Sequence, residues 1–176
     1  MSDQAELLPQ RRVIAAHNEA GIGSVTSDIN VVTKELEFSP ETRTGPLWKI
    51  TDPLPTKDNN KSEDGATRPT PVSEGFGLVP ANGSSFQTTE LAPGGLTPMH
   101  RTSSIDYDIL LTGEIILIME DGSETHLKNA GDVVVMKGAM HAWKNPSTTK
   151  WCRLVTVLTA AEPTVVQGKV LEEKIV

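Results

Sequence analysis

Four side chains in the second half of the chain have the types and spacing for metal or proton chemistry. His100, Asp106 and Asp108 lie in a strand-like run after a turn at Gly94-Gly95-Leu96-Thr97-Pro98, and His141 follows in Lys137-Gly138-Ala139-Met140-His141-Ala142-Trp143. Two neutral imidazoles and one carboxylate are a common ligand set for a divalent first-row metal such as Fe, Zn, Mn or Ni. The expected metal ligands are His100, Asp106 and His141. Strand side chains alternate between faces, so Asp108 shares the direction of Asp106. It is a candidate catalytic residue, a general base in the pocket, with a solvated rim position as the competing reading.

Neighbouring residues are weighed the same way. Arg101 and Tyr107 alternate away from the cavity, and Trp143 is expected on the face opposite His141, as a core or dimer contact. Trp48 and Trp151 read as core residues. His126 reads as an exposed strand histidine and His17 as structural. Cys152 lacks a basic neighbourhood beyond Arg153 and reads as a small buried apolar residue.

These groups need a scaffold, and the sequence offers strands. From residue 75 onward, short β-branched runs alternate with Gly, Pro, Asn and Asp, the rhythm of an antiparallel barrel or sandwich. The runs are Ser84–Leu91, Met99–Thr102, Tyr107–Leu111, Glu114–Glu120, Glu124–Leu127, Asp132–Met136, Ala142–Lys144 and Arg153–Leu158. Asp121-Gly122 predicts a type I′ hairpin turn. Before residue 75 the expected strands are Arg11–Asn18, closed by a turn at 18–21, then Ile29–Thr33 and Leu47–Ile50. Residues 1–12 are polar and expected to fray. Thr51–Glu74 is proline-rich and reads as a solvated loop, with a flap over a pocket or an arm around a partner as the sharper reading. Val165–Val170 predicts a last strand or hairpin. The domain division is an N-terminal extension over 1–74, a barrel over 75–163, and a tail over 164–176 that completes the sheet.

The bulk numbers exclude several classes. With 176 residues and 37% hydrophobic content, the chain can build one domain with a modest core. Its net charge of −7 argues against nucleic acid, which needs clustered Lys and Arg. One cysteine suits a reducing compartment. No secretory signal is read at the N-terminus, and no apolar run is long enough to span a bilayer. The expectation is a cytoplasmic, acidic protein with neither a membrane nor a nucleic-acid partner.

The stretch from Gly94 to Asn145 resembles the cupins, small double-sheet barrels with two metal-site motifs. The first motif is Gly, five residues, His-x-His, three or four residues, Glu, six residues, Gly. Gly94, His100, Thr102, Asp106 and Gly113 fall at these positions, with Thr102 in place of the second His and Asp106 in place of Glu. In the second motif, Gly131, Gly138, His141 and Asn145 match, with Met136 where the family has Pro. The resemblance implies an all-β fold, a single cupin double-stranded β-helix or jelly-roll barrel with an N-terminal strand extension. It also implies a three-ligand metal site with open positions, with Thr102 in the pocket, and a homodimer. Asp106 reaches about 1.5 Å less far than a Glu would. The run Thr97–Tyr107 together with His141–Pro146 further resembles fungal cupins labelled cupin-domain oxidoreductases, encoded beside polyketide synthases.

Two functions compete. One is a metal-dependent enzyme acting on a small organic acid, phenol or polyketide intermediate, by oxidation or by metal-assisted dehydration, decarboxylation or isomerisation. The other is a non-catalytic small-molecule binder with a degenerate metal site.

Overall fold

The structure is a computed structural model that describes residues 7–17, 19–20, 22–70 and 77–176. Residues 1–6 of the stretch expected to fray, two positions of the turn at 18–21, and 71–74 of the long loop lie outside them. Among the described residues there is no α-helix, only strands and two short 3-10 turns.

Strands β1 (Arg11–His17) and β2 (Gly23–Asn30) form a hairpin of their own. The larger sheet runs β10 (Val133–Lys137), β7 (Ser104–Thr112), β12 (Cys152–Ala160), β5 (Ser84–Leu91), β4 (Ser39–Ile50) and β3 (Lys34–Leu36). The smaller runs β15 (Lys174–Ile175), β6 (His100–Arg101), β11 (His141–Lys144), β8 (Ile115–Met119) and β9 (Glu124–Leu127). Every adjacent pair is antiparallel. A last hairpin joins β13 (Thr164–Val166) to β14 (Lys169–Leu171). Leu91, Leu110 and Leu154 of the larger sheet share one buried cluster with Ile115, Leu117, Leu127 and Trp143 from the smaller. The sheets therefore pack face to face as a jelly roll.

Most strands after residue 84 match the expected runs within a few residues. The differences lie where burial did not set the pattern. β4 begins at Ser39, well before the expected Leu47. Its prolines hide it: Pro40 is exposed near the strand's start, and Pro46 sits at a register shift, positions where a missing N–H costs no ladder bond. β3 and β4 are integral to the larger sheet. β2 lies earlier than Ile29–Thr33 because cross-strand pairing with β1 sets it; Val13, Val25 and Ile29 stay exposed. At the Asp121-Gly122 turn only Gly122 is left-handed (φ 81), so it is not type I′. Both Gln167 (φ 50) and Gly168 (φ 78) are left-handed, and the I′ geometry occurs there, between β13 and β14.

The stretch from Thr51 to Thr70 is largely solvated, as expected, but it is pinned to the sheet and does not act as a pocket flap. Arg68, 4% exposed, ties it to β4 by donating to the Lys49 carbonyl (2.7 Å), Asp58 (2.8 Å) and Glu63 (2.8 Å). Trp48 Nε1 donates to the same Asp58 carboxylate at 2.8 Å. No residue of this stretch lines the cavity that holds the two histidines.

Candidate functional site

Register brings the two histidines together. In the smaller sheet His141 of β11 lies directly opposite His100 of β6, and Ile175 of β15 lies opposite His100 on its other side. Directly opposite side chains share a face with Cβ atoms about 5 Å apart. The imidazole centroids stand 4.3 Å apart.

The backbone selects the tautomers. His100 Nδ1 donates to the Pro98 carbonyl and His141 Nδ1 to the Ala139 carbonyl, each at 2.9 Å. A carbonyl only accepts, so Nδ1 carries the proton and Nε2 keeps its lone pair. Burial lowers the pKa of both rings. For His141 the charge of a protonated His100 adds to burial and brings it to about 4. Both rings are neutral at neutral pH, and His100 takes a proton before His141.

The larger sheet supplies the acids. Asp106 and Asp108 of β7 both face inward, 4% and 3% exposed. Asp106 Oδ1 accepts from Ser104 Oγ at 2.5 Å, and Ser104 Oγ lies 2.8 Å from Thr102 Oγ1. Desolvation raises Asp106 to about 6 against the opposing pull of these hydroxyls. Asp108 lies opposite Thr156 of β12, whose hydroxyl donates to Oδ1 at 2.8 Å. Its Oδ2 is buried without a partner. Desolvation, with a smaller push from the charge of Asp106, raises Asp108 to about 7. No cation offsets the burial of either carboxyl.

His100, His141, Thr102, Asp106 and Asp108 all line one cavity of about 80 Å³ between the sheets. Leu36 and Phe38, from the β3–β4 hairpin, form one wall, and Ile175 another. The expected metal set is only partly assembled. The two free Nε2 atoms fit two imidazole ligands, but among the described residues no three His, Cys, Asp or Glu side chains stand close enough to hold a metal ion. Asp106 is a methylene shorter than the Glu of the motif and is held by Ser104 of its own strand. The residues therefore do not fit the three-ligand site.

Other expectations divide. Arg101 faces out toward Glu120, Tyr107 is exposed, and His126 pairs at the surface with Glu114. His17 is exposed on β1. Cys152 is fully buried, its thiol pushed up to about 12 by desolvation. Trp143 is a correction: two residues from His141, it shares that residue's face, lines the cavity, and meets the ring edge-on at 5.8 Å. Trp48 and Trp151 are also corrected. Both are half-buried outside the core cluster, one bonded to Asp58 and the other under Arg43 at 4.4 Å. Sequence reasoning missed Ser104 and Thr156. The first was legible as an inward residue of the Asp106 strand; the second depends on the β7–β12 register.

Two motif residues are structural. Asn145, 0% exposed, donates from Nδ2 to the carbonyls of Leu91, Ala92 and Lys150 and accepts from Ser147 N. Gly113 (φ +79) lets two strands approach, since a Cβ there would lie 2.7 Å from that of Cys152.

No protein-family model matches the chain. Phomopsin biosynthesis cluster protein D of Diaporthe leptostromiformis is 43% identical over 95 residues, 54% of this chain and 50% of that protein. Oryzines biosynthesis cluster protein J of Aspergillus oryzae is 34% identical over 98 residues, 56% and 54% of the two chains. The cupin-domain-containing oxidoreductase virC of Hypocrea virens is 37% identical over 87 residues, 48% and 44%. The chain spans about half the length of the curated relatives it matches. Among solved structures, the polyketide cyclase RemF of Streptomyces resistomycificus aligns over 83% of this chain and 80% of its own with TM-score 0.51 at 14% identity. The Cnp3 cupin domain of Schizosaccharomyces pombe aligns over 87% and 89% with TM-score 0.50 at 12% identity. These two likenesses concern the fold. The chain has the cupin fold, and over about half its length it is a homologue of fungal biosynthesis-cluster proteins and of fungal cupin-domain-containing oxidoreductases.

Proposed function

We propose that the chain is a cupin enzyme of fungal secondary metabolism that moves protons on a small organic molecule held between its sheets. One observation carries this reading: two neutral imidazoles with free Nε2 atoms share a cavity with two buried carboxyl groups whose pKa values are raised toward neutrality. Proton transfer is fastest when acid and base titrate near the working pH. Thr156 occupies Oδ1 of Asp108, so the carboxyl proton belongs on the unpartnered Oδ2, which must turn toward the bound molecule to donate. His100 Nε2 removes a proton from the carbon beside a carbonyl. The C–H electron pair becomes the C=C bond, and the carbonyl oxygen takes the Asp108 proton to give an enol. Reversal at another carbon isomerises the substrate, and loss of a β-hydroxyl dehydrates it.

A second reading has its own support. Several relatives are named as oxidoreductases, and two free imidazole nitrogens suit a first-row metal. Such an ion would be held by His100 and His141 and would supply Lewis-acid or redox chemistry. A homodimer through the outer face of the larger sheet belongs to the proposal as well. Val133, Val135 and Tyr107 stay exposed there, and sedimentation of the purified protein tests it.

The deciding experiment incubates the protein with aryl methyl ketones in D2O, with and without prior chelation, and follows deuterium at the methyl group by NMR. Exchange that survives chelation and falls at least a hundredfold in both His100→Ala and Asp108→Asn is the expected result, on the scale of general acid–base contributions. Exchange lost on chelation and restored by one metal favours the second reading. Ligand-induced stabilisation without exchange points to a non-catalytic binder.

A further inference from the structure

We infer that the cavity selects an uncharged, carbonyl- or hydroxyl-bearing molecule and discriminates against carboxylates and phosphates, so the substrate is a neutral ketone or phenol and not an organic acid. This deepens the proposed function and rests on it for the location of the site, not for the reaction.

The charge distribution carries the argument. All 16 Lys and Arg residues lie among the described residues, and none lines the cavity. The nearest in sequence, Arg101, follows His100 on β6 but faces the other way, toward Glu120 at 3.5 Å. Arg153 pairs with Glu90, and Arg43 stacks on Trp151, both away from the cavity lining. Lys174 precedes Ile175 on β15, and alternation turns it from the face that Ile175 presents to the cavity. The described residues hold no α-helix whose N-terminus could stand in for a cation.

What does line the cavity suits a neutral molecule. Leu36, Phe38, Leu78, Leu158 and Ile175 give apolar walls, while Gln87 and Thr89 of β5 offer neutral hydrogen-bonding groups. Asp106 and Asp108 are the acidic groups among the lining residues. An anion entering the chelator-treated protein gives up its hydration, meets no Lys or Arg among the lining residues and faces two carboxyl groups. Burying an unpaired carboxylate costs far more than burying a hydrogen-bonded neutral group.

The test uses a matched pair, ortho-hydroxyacetophenone and salicylate, which share the ring and the ortho hydroxyl and differ in a methyl ketone against a carboxylate. Binding to the full chain is followed by NMR at the His100 and His141 ring protons, which locates both ligands in the cavity, and Kd is read from the titration. The ketone is expected to bind at least tenfold more tightly. Gln87→Arg, which puts a cation on the wall, is expected to narrow or reverse the gap. Equal or tighter binding of salicylate to the unmodified protein, or no preference in either direction, overturns the inference. Turnover is not part of the readout. A ketone preference without deuterium exchange would sink the acid–base reading and leave the substrate class standing.

Discussion

Asp108→Asn should make the protein more stable as it makes the site less competent, and the gain should depend on pH in a way that identifies the carboxyl. In the folded protein Asp108 is raised from 3.8 to about 7, chiefly by desolvation. The folded state therefore holds a proton that the unfolded chain releases between about pH 4 and 7. Since stability changes with pH as the protons bound unfolded minus those bound folded, this group's contribution is fully present below pH 4. It is lost as pH rises through 7. The loss accrues at about 1.4 kcal/mol per pH unit, or about 4 kcal/mol across the window. Asparagine cannot ionise, keeps the Thr156 bond through Oδ1, and turns an amide toward the cavity. The difference in unfolding free energy between Asp108→Asn and the unmodified protein should therefore be small near pH 4, climb through pH 7, and level off above. Taking the difference removes the opposite trend of His100 and His141, whose lowered pKa values cost stability as pH falls below about 6.5. The assay is urea unfolding of both proteins at half-unit steps from pH 4.5 to 8.5. A difference that stays flat across that range would refute the assignment of a buried, proton-holding carboxyl.

Other consequences concern the scaffold. Asn145→Ala should cost about 2–4 kcal/mol by urea unfolding, because a fully buried amide loses its bonds to the carbonyls of Leu91, Ala92 and Lys150, of which Ala92 keeps Gly95 N; a cost under 0.5 kcal/mol would show the others satisfied otherwise. Arg68→Ala should cost about 3 kcal/mol, since Asp58 beside Trp48 loses its nearer cation and keeps only Lys61 at 3.6 Å, and limited proteolysis should then cut within 51–70. Gly83→Ala places a Cβ 1.7 Å from the Ile50 carbonyl oxygen, so the β4–β5 junction must move; a melting temperature unchanged within 1 °C would contradict the packing there. Cys152 should resist iodoacetamide in the native protein at pH 8 and react only after unfolding, as expected of a fully buried thiol raised to about 12.

Much of this molecule was already legible in the order of its residues. The strands after residue 84 carry period-two alternation because one face of each is buried, and that burial writes itself into composition. The inward parity of Asp106, Asp108 and Thr102 and the outward parity of Arg101 and Tyr107 followed from the same rule. β2, held by pairing with β1, and β4, whose buried positions are small polar residues interrupted by prolines, left no such trace. Two-residue β15, which sets Ile175 beside His100, was equally invisible. Motif spacing placed both histidines in one barrel, but the β6–β11 register is what set their rings 4.3 Å apart. The motif also led to a three-ligand metal set, of which the strand register brings the two imidazoles together. Whether a carboxylate joins two imidazoles depends on side-chain length and on competing local bonds. Asp106, one methylene short, is bonded to Ser104. Sequence alone determined the inward parity of the two histidines and of Asp106; the facing of Trp143, the distances, the desolvation and the lack of Lys or Arg among the lining residues exist only once the two sheets are packed.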